Sequence, residues 1–157
     1  MAAAVAASLV TPASAIKPED SKACALARRA ATGAALSVPF RVVDGCIYVT
    51  AKVDDKGPFV FAVDTGASGI GRADAGLVAT LGIPVTGSGH TSDGVATAEI
   101  KTVRLRSVDL GRFVRRDLEV ATRDYSSKLT PEAAFSGILG REFFGDGLLV
   151  IDYPAAD

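Results

Sequence analysis

A chain of 157 residues with a net charge of −1 is long enough to bury one hydrophobic core without covalent staples. Its 17 basic and 18 acidic residues leave no excess to neutralise a phosphate backbone, which excludes nucleic acid as the partner. No apolar run approaches the roughly 20 residues that cross a bilayer, so no integral membrane helix is expected, while 16 glycines and few aromatics suit short strands joined by tight turns.

Residues 1–15, MAAAVAASLVTPASA, carry no charge and end on Ala13-Ser14-Ala15, a small-x-small cleavage pattern. The segment reads as a signal peptide and points to a periplasmic or secreted protein. The usual positive n-region is missing, and an alanine-rich tail on a cytoplasmic protein has the same composition. Cys24 and Cys46 are the only cysteines, too few for a structural zinc site. In an exported chain they are a natural disulfide, stabilising by about 3 kcal/mol in the chain-entropy model. In a cytoplasmic chain they are two buried thiols. Segment 16–37 contains one short helix, KPEDSKACALARRAATG, with Asp20 or Ser21 at its start and Gly33 beyond its end.

From Val38 onward the pattern has period two. VPFRVV, then Asp44-Gly45, then CIYVTAKV reads as a hairpin closed by a two-residue turn. Its second strand sets Ile47, Val49, Ala51 and Val53 on one face and Tyr48, Thr50 and Lys52 on the other. Asp54–Gly57 form the next turn, and Phe59–Val63 a buried strand. DAGLVATLGIP is a short helix with Leu77, Val78 and Leu81 inward, ended by Gly82 and Pro84. A glycine-rich polar hairpin, VTGSGHTSDGVATAEI, turns near Ser92–Gly94. Two strands follow, with Val103 and Leu105 inward on the first and Leu118 and Val120 on the second. DYSSKLTPEAAF is a loop, SGILG a short apolar element, REFFG a helical turn and LLVIDY a final strand. The fold class is mostly β, with one or two short helices.

The strand FVFAV ends on Asp64-Thr65-Gly66. Asp and Gly are common turn formers, so the tripeptide alone is weak evidence. An actin-like phosphate loop needs a much longer chain and a second such loop. Glycines 66, 69 and 71 do not follow the G-x-G-x-x-G order of a dinucleotide site.

FVFAVDTGAS, taken together with SGILG farther along, resembles the retropepsin-like aspartic proteases of the single-domain bacterial type. DAGLVATLGIP and GREFFGDGLLVIDY extend the likeness over 38–153, within a domain that we set at 38–157. The resemblance implies a barrel-like acid-protease half in which Val63–Gly66 thread beside Ile138, Leu139 and Gly140 in a ψ-shaped loop. It implies Asp64 as the catalytic residue, with Thr65, Gly66, Ala67 and Ser68 forming the active-site loop. Thr65 would bond across to its counterpart. Ala67 matches the retroviral type, where pepsin-like enzymes place a serine that bonds the carboxylate.

Peptide hydrolysis by this chemistry needs two carboxylates. One takes a proton from water while the other protonates the carbonyl oxygen, and two carboxylates about 3 Å apart share a single proton. Asp44-Gly45, Asp93-Gly94 and Asp146-Gly147 lack the middle hydroxyl and read as turns. The second carboxylate must therefore come from Asp64 of a second copy in a homodimer.

The glycine-rich hairpin, with Gly89, His90, Thr91, Ser92, Asp93 and Gly94, would be the flap over a peptide substrate. His90 is the sole histidine, so neither a metal nor an organic cofactor is implied. Lys101, Arg104, Arg106, Arg112, Arg115, Arg116 and Arg123 read as the solvated face of two strands. Phe143 and Phe144 read as core. A peptide-binding module of the same fold, without turnover, is the competing function.

Overall fold

The computed structural model describes residues 37–92, 97–145 and 149–153. The chain divides into a compact unit, Leu36–Leu149, and a second unit of residues 1–35 and 150–157. The leader at 1–15 and the N-terminal helix expected within 16–37 lie outside the described residues, as does Cys24. Cys46 is an exposed free thiol, and the structure shows no bridge from it to Cys24.

The main unit is mostly β, as its period-two patterning requires. Strands β1 (Phe40–Val43), β2 (Cys46–Val53), β3 (Lys56–Val63) and β4 (Gly71–Asp74) precede helix α1 (Ala75–Leu81). Strands β5 (Val85–Ser92), β6 (Thr97–Leu110), β7 (Phe113–Arg123) and β8 (Gly137–Leu139) follow, and a 3₁₀ turn (Arg141–Phe144) comes after them. The eight strands form one sheet in the order β1-β2-β3-β8-β4-β7-β6-β5. A further pairing of Lys52 and Val53 with Asp109 and Val108 joins β2 to β6, so the sheet curls back on itself like a ring.

Turn chemistry sets the registers. Asp44 (φ 50°) and Gly45 (φ 78°) are both left-handed, the backbone of a type I′ hairpin, and Val43 pairs with Cys46. The next turn is Asp54-Asp55, also left-handed at both positions, rather than the expected Asp54–Gly57. Lys56 already pairs with Val53, because a two-residue turn matches strand twist better than a longer loop. Asp54 secures the turn from its side chain, accepting from Ser107 N–H at 3.0 Å.

The core lies on one face of the sheet. Val49, Ala51 and Val53 meet Phe61, Val103, Leu105, Leu118, Val120 and Leu139, all buried. Phe143 is fully buried, its ring edge-on to Phe113 and Phe144, and Phe144 packs against the core. The basic residues of β6 and β7 are exposed, as alternation demands, with the exception of half-buried Arg115. Its Nε donates to Phe143 O at 2.8 Å, and its guanidinium lies over the Phe113 ring.

Two expectations need correction. The strand Phe59–Val63 is half-buried except at Phe61, because only one of its faces meets the core. Leu149–Tyr153 forms no strand. Leu149, Val150, Ile151 and Tyr153 are each at least a third exposed, since apolar residues make a strand only where a neighbour completes the ladder.

The loop 124–136 covers the face of β2 opposite the core. Tyr48, on the face that alternation sets opposite Val49 and Ala51, is buried there, donating from its hydroxyl to Ala133 O at 3.1 Å and facing Phe135. Burial raises the Tyr48 phenol above its ordinary range. The loop opens on Asp124, which accepts from Ser127 N–H at 2.9 Å. The Ser127 hydroxyl first, and then its N–H, bond the Asp124 carboxyl and hold it below the usual range. A depressed carboxyl stabilises the fold above its unfolded pKa, and that contribution disappears as pH falls through the folded value. Ser127→Ala should raise the Asp124 titration midpoint measured by NMR, and an unmoved midpoint would show that the bond is absent in solution.

Candidate active site

Strand β3 runs parallel to β8, pairing Phe61 with Gly137, Ala62 with Ile138 and Val63 with Leu139. Strand β4 closes antiparallel on the other edge of β8, pairing Gly71 with Leu139 and Arg72 with Ile138. The short strand SGILG is therefore threaded between the two strands that flank the Asp64 loop. Glycine is needed at Gly137 and Gly140 for this close approach. A Cβ on Gly140 would collide with Gly69 O, and one on Gly137 with the Phe61 ring.

The loop itself is held through its backbone. Asp64 N–H extends the ladder to Leu139 O at 3.0 Å, and Gly140 N–H donates to Ile70 O at 3.1 Å. Arg141 and Glu142 N–H reach Ala67 O and Gly69 O, both at 3.3 Å. The expected juxtaposition of Val63–Gly66 with Ile138–Gly140 is thus present.

The Asp64 carboxylate is exposed and oriented. Its Oδ1 accepts from Gly66 N–H at 2.9 Å and Ala67 N–H at 3.2 Å. Oδ2 has no hydrogen-bond partner among the described residues. A Cβ at Gly66 would lie 3.2 Å from Oδ1, tight enough to disturb this contact. One oxygen is fixed and the other is open, which suits a group that must exchange protons with something outside the chain. Thr65 and Ser68 are exposed, and Ala67 is half-buried.

A family model for aspartyl proteases matches residues 49–143, a span that contains the Asp64 loop, the glycine-rich hairpin and β8. The chain belongs to the aspartyl protease family. A search of curated proteins finds no match.

In this family member the glycine-rich hairpin is β5 with the first half of β6. Gly89 pairs with Ile100, His90 with Glu99, Thr91 with Ala98 and Ser92 with Thr97. Asp93 and Gly94, expected at its tip, lie outside the described residues. The hairpin ends the sheet order at β5, and the Asp64 loop leaves from β3; β8, β4, β7 and β6 intervene in one direction around the ring, and β2 and β6 in the other. His90 is exposed, and the described residues contain no cluster of three or more His, Cys, Asp or Glu able to hold a metal ion.

Two residues of β4 were not singled out by the sequence reading. Asp74, the last residue of β4, is buried and caps α1, accepting from Gly76 N–H on Oδ2 at 2.8 Å. Its Oδ1 accepts from Tyr125 and Ser126 N–H at 2.8 and 3.2 Å, and its own N–H donates to Ser136 O. The Asp74 carboxylate thus ties the helix to the start of the loop that delivers β8, and its backbone N–H holds the loop's end. Asp74→Ala should cost roughly 2 kcal/mol in urea unfolding, because three partly buried N–H groups lose their acceptor. A change below about 0.5 kcal/mol would mean that the loop finds other partners. An Asp directly before a helical pattern is the available signal for such a cap. Arg72 is the other residue: its Nη1 donates to Ser68 O at 3.0 Å and Gly71 O at 2.8 Å.

Proposed function

We propose that the chain is an aspartic endopeptidase of the single-domain retropepsin-like type, active as a homodimer. Its family membership supports peptide-bond hydrolysis, and the open, oriented Asp64 carboxylate beside β8 carries the assignment of the site. The sequence contains one Asp-Thr-Gly, so the acid/base pair is Asp64 of each copy, related by a two-fold axis. The pair shares one proton. The ionised member takes a proton from the attacking water, and the protonated member donates to the carbonyl oxygen of the scissile bond, giving a tetrahedral diol that collapses to acid and amine. Thr65 and Gly66 shape the loop. The peptide lies extended beneath the β5–β6 hairpin, which excludes water during the reaction. The uncharged leader ending Ala13-Ser14-Ala15 supports export, and the chemistry requires no cofactor.

The test is cleavage of a peptide mixture by the whole chain, read by mass spectrometry, with sedimentation equilibrium from acidic to neutral pH. Facing carboxylates repel when both are ionised, so the dimer should tighten as pH falls, and Asp64→Asn should flatten that dependence. A strict monomer without cleavage at every pH overturns the assignment and leaves a module that binds peptides without turnover.

A further inference from the structure

We propose that Arg72 is a specificity-determining residue that selects peptide substrates carrying an acidic side chain next to the scissile bond. This rests on the peptidase reading of the Asp64 site. Ala62, Ile138 and Arg72 form one row across β3, β8 and β4, and Ala121 of β7 continues it. The row lies on the face opposite the core, since its neighbours Phe61, Leu139 and Ala73 are the buried ones. Strand alternation brings Asp64, two residues beyond Ala62, to that same face. Arg72 therefore stands on the Asp64 side of the sheet, between Ile138 and Ala121 in its row.

The guanidinium is fixed and only half used. Both Arg72 bonds, to Ser68 O and Gly71 O, leave from Nη1. They anchor the group against the loop that follows Asp-Thr-Gly, and a Cβ on Gly69 would sit 3.6 Å from Nη1. The Nε–Nη2 edge, with three N–H donors, has no partner among the described residues. That edge is the fork that grips a carboxylate through two parallel bonds.

Arg72 also lacks a counter-ion among the described residues. The ion pairs among the described residues are Arg104–Glu119 and Arg106–Asp54, and neither involves Arg72. A half-buried cation with an ordered, unused fork, anchored through Ser68 O to the loop that follows Asp64, suits a ligand anion. An extended peptide supplies one as Asp or Glu within two residues of the cleaved bond. Its carboxylate would be gripped without moving the arginine, so little conformational entropy is lost.

The experiment uses the whole chain and a peptide library in which each sequence occurs in a Glu and a Gln form, read by mass spectrometry. Wild type should cleave Glu members about tenfold faster than their Gln twins when the residue lies within two positions of the bond. Arg72→Gln should bring the ratio close to one, and Arg72→Lys, which keeps the charge but loses the fork, should restore part of it. Circular-dichroism melts confirm that the variants fold, and the wild-type ratio needs no variant at all. Cleavage with equal rates for Glu and Gln, or a preference that survives Arg72→Gln, overturns the role of Arg72 and leaves the peptidase standing. Where nothing is cleaved, calorimetric binding of the same pairs decides. Glu-selective binding lost in Arg72→Gln upholds Arg72 while the peptidase reading fails, and binding without selectivity, or no binding, overturns both.

Discussion

Asp64→Asn should lower peptide cleavage by about a thousandfold or more, since it removes the proton-transfer group from both halves of the proposed pair. The fold should survive. Asn retains an oxygen at the Oδ1 position, able to accept from Gly66 and Ala67 N–H, and the residue is exposed. A melting temperature within a few degrees of wild type would separate lost chemistry from lost structure. Mixing subunits sharpens the test. If each site draws one Asp64 from each copy, exchanging wild-type and Asn chains in equal amounts leaves about a quarter of the pairs active. If each chain carries its own complete site, about half of the activity remains. Cleavage that persists in Asp64→Asn would overturn the assignment.

Gly137→Ala should have the largest effect on stability, roughly 3 kcal/mol, lowering the melting temperature by roughly 10 °C. The added methyl would overlap Phe61 Cε1 and lie 2.6 Å from Arg72 O and 2.9 Å from Phe61 Cδ1. Neither neighbour can retreat: Arg72 belongs to the β4–β8 ladder, and Phe61 is among the most deeply buried side chains. Gly89→Ala in β5 is the control, because a Cβ there meets nothing within 4 Å. Equal melting temperatures for the two variants would show that β8 is not pressed between its neighbours.

Local signals were legible in the sequence wherever residue chemistry fixes the backbone. Asp44-Gly45 announces its turn because both positions need positive φ, and Gly82 (φ 64°) ends α1 for the same reason. Val103, Leu105, Leu118 and Val120 follow strand alternation into the core. The adjacency of Asp64 and Leu139 is of another kind, since no periodicity joins two segments so far apart, and only the paired motifs predicted it. Strand β4, Gly-Arg-Ala-Asp, has neither β-branched nor aromatic residues and is a strand only because β8 and β7 flank it. Tertiary cover likewise buries Tyr48 against its pattern. The apolar run at Leu149–Ile151 shows the converse, strong propensity without a ladder.

The threading of β8 also bears on the order in which the site comes into being. Asp64 emerges early from the ribosome, but the carbonyl that receives its N–H, Leu139 O, comes from the far end of the unit. Contacts this distant in sequence form slowly and late. Nascent chains, and chains clipped within the loop 124–136, therefore carry the carboxylate without its support, and a chain ending at residue 135 should show no amide-exchange protection at Asp64. The carboxylate gains its support only after residues 136–142 are released and packed beside β3 and the loop.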